Sequence, residues 1–566
     1  MRHSNSTETS PFDSSSDRDD LDLLAQGTKP HPGHEPQFSR RGFIGGVASM
    51  SAMAAMGGAL TACSSTEEPI EFRYGVASGD PLADRVILWT HVKPVTGEFP
   101  VSVQYEVASD AAFSSIVSSG NLESNAQNGF TVKADATGLS PGKTYYYRFR
   151  QGDQRSPVGT TRTLPEASVA EVRMAVLSCS NYPAGYFHVY AEVAKSDAQY
   201  AIHLGDYIYE YASTGYASEQ AARLGRSSDP TNEILSVADY RKRFAQYRSD
   251  PDLQALHAKM PMIAVWDDHE TANDAWKDGA ENHDPSKEGT WAARKAAALA
   301  VYHEWMPIRT GSDRSVIYRS FDFGSLLSLH MLDTRLIGRD KQIPIEDLAG
   351  LSGAAKQAEA LTSFSAPTRQ LLGSTQSNWL IGQMTASKAV WQVLGQQVLM
   401  ARMEFPSSVL AALNPSDTSA EAVAAGTKAV TDYLTAKATP AALRTPTQTA
   451  LMDTKLNPKL GYNLDAWDGY IVARETILGA AAQLQKKLIS LAGDTHNAWH
   501  SKLSLMGLAS PAMAGMKVGE EFATSSVSSP GIEAALSIPP AQTKGIFEGV
   551  IDDLRWMDPS QRGYLK

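Results

Sequence analysis

Two hydrophobic patterns divide the chain. From Glu71 to about residue 164, short runs of β-branched and aromatic residues recur, among them Val86-Ile87-Leu88-Trp89-Thr90, Val101-Ser102-Val103-Gln104-Tyr105 and Tyr145-Tyr146-Tyr147-Arg148-Phe149. Turn residues punctuate them at Gly97, Gly129 and Pro141-Gly142. Short alternating runs with regular turns predict a small β-sandwich over 70–164. After Pro165 the pattern changes to apolar strands separated by helical stretches. Strands are predicted at 173–178, 201–204, 262–266, 326–332, 390–394 and 488–492, with a helix over 292–305. Such alternation predicts an α/β layered core over 165–566, with sheets flanked by helices. Residues 405–460 are rich in Ala, Thr and Pro and read as a surface insertion that covers the mouth of a site.

The first residues carry no such pattern. Residues 1–41 are rich in Ser, Asp, His and Pro and predict an unstructured leader. Ser39-Arg40-Arg41-Gly42-Phe43-Ile44 then opens an uncharged run of small and apolar residues to Ala62, too weakly hydrophobic for a membrane span. Paired arginines before such a run mark residues 1–62 as a twin-arginine export signal, with the twin-arginine translocase as partner. Leu60-Thr61-Ala62-Cys63 resembles a lipobox, in which Cys63 is lipidated and holds the protein at a membrane; ordinary cleavage nearby is the alternative. The expected locations are periplasmic, cell-surface or extracellular. Over the whole chain, 42% hydrophobic and 20% charged residues exclude a fibrous protein, and a net charge of −11 argues against a nucleic-acid-binding surface. Two cysteines cannot build a disulfide framework.

Reactive side chains gather just after the predicted strands, where loops rim a sheet. Cys179 stands in Leu177-Ser178-Cys179-Ser180-Asn181, and a thiolate is a soft metal ligand. Asp206 and Tyr209 stand in His203-Leu204-Gly205-Asp206-Tyr207-Ile208-Tyr209, where Gly205 allows a sharp turn. Asp267-Asp268-His269-Glu270 puts three carboxylates beside an imidazole, an arrangement that requires cations or hydrogen bonds to compensate. Gln396-Gln397 follows another strand. Asp494 and His496 follow the last, in Gly493-Asp494-Thr495-His496, and in extended chain that spacing points both side chains the same way. No Gly-x-Ser-x-Gly elbow or phosphate-cradling Walker loop accompanies these sites. Carboxylate, imidazole, phenol and thiol on successive strand ends point instead to a two-metal hydrolase.

The motifs Gly205-Asp206-x-x-Tyr209, Trp266-Asp267-Asp268-His269-Glu270 and Gly493-Asp494-Thr495-His496 resemble those of the PhoD-type alkaline phosphatases, within the metallophosphatase superfamily. Ser178-Cys179, Met306-Pro307-Ile308-Arg309, Leu332-Asp333-Thr334-Arg335, Trp467-Asp468-Gly469-Tyr470, Ser528-Ser529-Pro530-Gly531 and Arg562-Gly563-Tyr564 extend the resemblance over about residues 70–566. The segment 137–147 is similar to the closing part of a fibronectin-type-III sandwich.

The resemblance implies a layered metallophosphatase core of mixed sheets behind an N-terminal fibronectin-like sandwich, closed by a C-terminal capping segment. It implies Fe(III) held by Cys179, Asp206, Tyr209 and His496, with Asp206 bridging to a second, calcium-type site that includes Asp268 and Asp494. Gln397 and Asn273 are further candidates for that site. His269 would serve as acid or phosphate-binding donor. Arg335 and Arg339 would hold phosphate oxygens, or else form core ion pairs. Thr271-Ala272-Asn273-Asp274 departs from the family pattern, which commonly carries two asparagines there, and leaves the outer metal shell open. The implied activity is hydrolysis of phosphate monoesters or diesters by metal-hydroxide attack, without a covalent phosphoenzyme. The alternatives are a phospholipase D-like phosphodiesterase on the same metals, a non-catalytic surface binding protein and a metal-sequestering protein.

Overall fold

The computed structural model describes residues 68–344, 362–412, 419–536 and 538–566. The export motif and Cys63 lie outside the described residues. No helix among the described residues is long and apolar enough to cross a membrane.

Two large sheets form the centre. In the first, the strands Met174–Leu177, Tyr200–His203 and Met262–Ala264 run parallel. In the second, Leu327–Met331, Trp391–Gly395, Lys487–Ala492 and Lys517–Ala523 run parallel. Arg319–Phe323 pairs antiparallel at one edge, and Ala498–Ser504 and Leu554–Asp558 extend the sheet antiparallel beyond the other. All six strands predicted after Pro165 are present. The strands after residue 493 were not predicted, because polar residues interrupt them and no continuous apolar run marks them.

Side chains alternate across a strand, so each sheet serves two layers. Leu329, Met331 and Val393 of the second sheet join Ala175, Leu177, Ala201 and Ile202 of the first in one buried cluster. Leu394, Leu488 and Ala492 point the other way, into a cluster closed by Leu380, Met384, Ile477 and Leu478. The latter come from the helices Gly373–Ala386 and Ile471–Gln483. Burial of each such side chain contributes roughly 1.5–3 kcal/mol. The helix predicted over 292–305 is Trp291–Trp305 and packs on the first sheet; Thr290 caps it by accepting from Ala293 N, and it stops before Met306-Pro307.

The N-terminal strands form a sandwich whose inner sheet continues into the core. Val76–Gly79, Arg85–His91 and Thr131–Thr137 face a sheet of Gly159–Arg162, Thr144–Gln151, Val101–Ala108 and Ile116–Ser124. Val76, Val86 and Leu88 meet Val103, Val107, Tyr147 and Phe149 between them. The opposite faces of the same strands bury Ala77 and Trp89 in the core of the α/β layers. Gly79 pairs with Met262 and splices the two parts into one six-stranded sheet. A Cβ at Gly79 would collide with the carbonyls of Met262 and Pro307. The sandwich is therefore built into the layer that carries the site, whereas the sequence pattern treats it as a separate unit.

The described part of 405–460 packs into the second cluster, where Phe405, Val409, Val430 and Tyr433 join Leu488, Trp499 and Phe547. Its helix Ala420–Ala438 buries Val430, Tyr433 and Ala436, and Lys437 Nζ donates to Gly549 O at 2.7 Å. No hydrogen bond joins this segment to the side chains of Cys179, Asp206, Tyr209, Asp268, Asp494 or His496 among the described residues.

Candidate active site

Parallel strands end on the same edge of their sheet, so the loops after residues 177, 203, 264, 331, 395, 492 and 523 converge. They are laced together by backbone bonds. Cys179 N donates to Gly205 O at 3.1 Å and Ser180 N to Asp206 O at 2.8 Å. Glu270 accepts from three backbone N–H groups at once, of Asp206 (3.0 Å), Tyr207 (2.6 Å) and Asp267 (2.8 Å). One buried carboxylate thus fixes two loops against each other.

Gly205 has φ +107°, and a Cβ there would collide with Asp267. Gly205→Ala is expected to destabilise the fold by roughly 1–3 kcal/mol, the cost of one strained backbone position. A denaturation midpoint equal to wild type would contradict this.

Three clusters of ligand-type atoms result, each spanning no more than 4.8 Å: Cys179, Asp206 and His496; Asp206, Asp268 and His269; Asp267, Asp268 and Asp494. Asp206 is shared by the first two. At the first cluster Tyr209 Oη lies 3.0 Å from Asp206 Oδ2 and 3.1 Å from His496 Nε2. His496 Nδ1 lies 2.6 Å from Pro530 O. A carbonyl only accepts, so Nδ1 carries the proton and Nε2 turns its lone pair to the cluster. Burial lowers the His496 pKa to about 4, which keeps the ring neutral. Burial pushes the Cys179 thiol well up, helped by the Asp206 charge, and does the same to the Tyr209 phenol. Without a cation this group of acids is held protonated; a cation would reverse that.

The second cluster contains the imidazole. His269 Nδ1 pairs with Glu210 Oε2 at 2.7 Å, and its ring stacks on Tyr209 at 4.2 Å. Burial opposes charge on His269, but Asp268, Glu210 and Asp206 outweigh it and raise its pKa well above the usual value. Asp268 Oδ2 accepts from Asp274 N at 2.6 Å. Burial works against ionisation of Asp268, yet Arg335 and His269 bring its pKa down to about 2.

Arg335 organises the third cluster. It is fully buried, and its guanidinium meets Asp267, Asp465 at 2.7 Å, Asp494 at 3.1 Å and Asp268 at 3.6 Å. Arg339, equally buried, is taken up by Asp465 and by the Thr334 carbonyl at 3.2 Å. Both arginines form buried ion pairs in this structure.

The donor set fits cations. Asp206 Oδ1 and Asp267 Oδ2 are buried without a hydrogen-bond partner. A buried carboxylate oxygen that belongs to such a cluster and accepts no hydrogen bond is suited to a cation.

The PhoD-like phosphatase profile matches residues 174–566, and the profile of the PhoD-like phosphatase N-terminal domain matches residues 58–165. The chain belongs to the PhoD-like phosphatase family. It is 33% identical over 507 residues to alkaline phosphatase D of Bacillus subtilis (strain 168), covering 85% of this chain and 75% of the relative. A solved structure of PhoD superposes with a TM-score of 0.67 at 31% identity, covering 87% of this chain and 83% of that one. The α/β layered fold and the phosphoric ester hydrolase activity expected from the sequence stand on these matches. A purely binding or metal-storing protein is not what this family is.

Within this PhoD-like phosphatase, the eight residues expected at the site come together, but not all in the expected way. Asp494 and His496 do not point together. Both residues have left-handed backbone, φ 64° and 61°, and this turn sends Asp494 to the acidic cluster and His496 to the thiol cluster. Gln397 is not turned to the site: it donates to Trp266 O at 2.7 Å and Leu332 O at 2.9 Å and accepts from Thr334 Oγ1 at 2.6 Å. Asn273 is fastened to Tyr211 at 2.9 Å and to Glu281. Sequence reasoning missed Glu210, Glu270, Asp465, Ser529 and Tyr216. Glu270 and Ser529 fall inside quoted motifs and Glu210 directly follows Tyr209, so all three could have been found; Tyr216, 38% exposed with its ring 6.3 Å from both Tyr209 and His496, had no signal.

Proposed function

We propose that this phosphoesterase hydrolyses phosphate monoesters and diesters at a centre for two adjoining cations. Fe(III) is assigned to Cys179, Asp206, Tyr209 and His496, and Ca(II) to Asp206, Asp268 and Asp494, drawn from the second and third clusters through the Asp268 they share. The observation that carries this is Asp206, common to two ligand clusters, with Oδ1 buried and unpaired. Thiolate and phenolate favour a redox-type transition metal, while an all-carboxylate set favours a hard cation. Once bound, the cations supply charge neutralisation for the phosphate and activation of water.

The protein side chains then have distinct tasks. Glu210 holds His269 by Nδ1, which leaves Nε2 to donate to the departing ester oxygen or to a phosphate oxygen. Arg335 draws Asp267, Asp268 and Asp494 together and reduces the cost of charge on each, and acts through them rather than on the ester. Ser529 Oγ, 2.7 Å from Tyr209 Oη, supports the phenolate form.

Two assays test the reading. Turnover of an aryl monoester is compared with that of its diester; exclusive diester turnover would favour the phospholipase D-like alternative. Purified protein should also be coloured by thiolate and phenolate charge transfer to iron. Tyr209→Phe keeps the ring packing and should shift or bleach the band, and Cys179→Ser should weaken iron retention. A colourless active enzyme with unchanged metal in both variants would remove the iron assignment and leave the phosphoesterase.

Residues 1–62 are assigned to twin-arginine export and Cys63 to lipidation, on the motifs Arg40-Arg41 and Leu60-Thr61-Ala62-Cys63. Arg40→Lys with Arg41→Lys should retain precursor in the cytoplasm, and Cys63→Ala should move a detergent-phase protein into the aqueous phase. Normal export of the double variant, or a wild type already in the aqueous phase, would refute the respective assignment.

A further inference from the structure

The loop that follows the strand Lys517–Ala523 reaches the thiol cluster at three points. Ser529 Oγ lies 2.7 Å from Tyr209 Oη, and Pro530 O accepts from His496 Nδ1 at 2.6 Å and from Tyr216 Oη at 3.1 Å. No sheet bond fixes these residues. Ser529 is tied to Cys179 O through its N–H at 3.3 Å and its Oγ at 3.0 Å, whereas the 530–531 turn beyond it depends on what holds the loop from behind. Ile532 N donates to Asn497 Oδ1 at 2.9 Å, and Gly531 N donates to Glu533 Oε1 at 3.1 Å. The same Glu533 oxygen receives Arg562 Nη2 at 2.6 Å. Arg562 is itself held on a short strap. Gly563 N donates to Ser526 O at 3.2 Å, and Leu565 exchanges both backbone bonds with Val176, at 2.9 and 3.2 Å. Val176 lies in the strand that delivers Cys179.

A continuous path therefore runs from Arg562 through Glu533, Gly531 and the Pro530 carbonyl to His496. We propose that Arg562 is a positioning residue for the thiol cluster: its ion pair with Glu533 sets the 530–531 turn, and the turn aims His496 Nε2. This rests on the reading of Cys179, Asp206 and His496 as a cation centre. The physical reason is directional. An imidazole ligand is oriented by the acceptor on its other nitrogen, and here that acceptor sits on a turn without sheet support. The pair is partly exposed, 28% and 21% at the two side chains. It therefore contributes little to global stability, and its loss should register at the centre rather than in the melting temperature.

The test uses the full chain loaded with cobalt(II) alone, followed by its visible absorption and by release to a chelator. Arg562→Ala is expected to shift the band and to release cobalt about tenfold faster, the lower end for loss of an outer partner. Arg562→Lys keeps the pair and should stay close to wild type in both readings. Arg562→Ala with Glu533→Gln should be no faster than Arg562→Ala, because the two act on one path. Should Arg562→Ala fold poorly, Arg562→Gln carries the same expectation. An unchanged band and release rate in the Ala or Gln variant, or additive effects in the double variant, would overturn the proposal. Failure of the wild type itself to take up cobalt would instead overturn the cation-centre reading beneath it.

Discussion

Asp206→Asn is expected to remove nearly all phosphoesterase activity while leaving the fold in place. The change is almost isosteric, and the backbone contact that fixes Asp206, its N–H to Glu270, does not involve the side chain. What changes is charge at the junction of two clusters. Asp206 belongs both to the group with Cys179 and His496 and to the group with Asp268 and His269. A neutral amide there weakens a cation on either side. It also puts a donor N–H₂ either at the Oδ1 position, which has no hydrogen-bond partner, or at the Oδ2 position, which accepts from Tyr209 Oη. Loss of a single preorganised charge-stabilising group commonly costs about 10²–10³-fold in rate, and a group serving two cations should reach the top of that range or exceed it. The check is turnover together with metal content, with circular dichroism to confirm folding. Full metal content with substantial turnover would show that Asp206 does not bridge.

Arg335→Met is expected to have the largest effect on stability. The guanidinium is fully buried and shared by Asp267, Asp268, Asp465 and Asp494. Methionine replaces the stem but leaves Asp267 and Asp494 without their cationic partner, Asp465 with Arg339 alone and Asp268 with His269 alone. Breaking a buried pair in this way typically costs about 3–5 kcal/mol. The loss should be largest in the presence of a chelator and smaller with added calcium, since a cation in the acidic cluster takes over part of the charge. The sign of the pH dependence follows from Asp494. Burial, with Asp465 and Asp268, raises its pKa to about 7 against the opposing pull of Arg335, so it binds a proton in the folded state that the unfolded chain has released. Stability from that group falls as pH rises from about 4 to about 7. Without Arg335 the folded pKa moves higher still. The gap between variant and wild type should therefore widen with rising pH and narrow in acid. Chemical denaturation at several pH values measures this; a gap that is small and independent of pH would assign Arg335 a minor role.

Much of the site was legible in the sequence because ligand-type residues follow strands whose apolar runs are unmistakable. Cys179 after the run ending at Leu177, Asp206 after His203, Asp267-Asp268-His269 after Ala264 and Asp494 after Ala492 each sit within a few residues of a strand end. Parallel strands bring such ends to one edge whatever lies between them. Orientation was less legible. The expectation that Asp494 and His496 point together assumed extended chain, and left-handed backbone at both positions sends them to different clusters. Gln397, also at a strand end, turns inward and saturates its amide on Trp266, Leu332 and Thr334. Residue type and position suited it for the site, and only the neighbouring carbonyls decided otherwise.

The sequence by itself determined the layered α/β class, the strands that carry the site and the residue types offered there, because hydrophobic periodicity and turn chemistry act over a few residues. The tertiary structure alone decided what depends on groups far apart in the chain. Asp206 becomes a shared vertex only when residues 179, 268, 269 and 496 meet it. Arg335 becomes a counter-ion only when Asp267, Asp465 and Asp494 surround it. The sandwich becomes part of the catalytic layer only through the pairing of Gly79 with Met262. Charge, desolvation and hydrogen-bond direction fall off over a few ångströms in space, and distance along the chain carries no record of them.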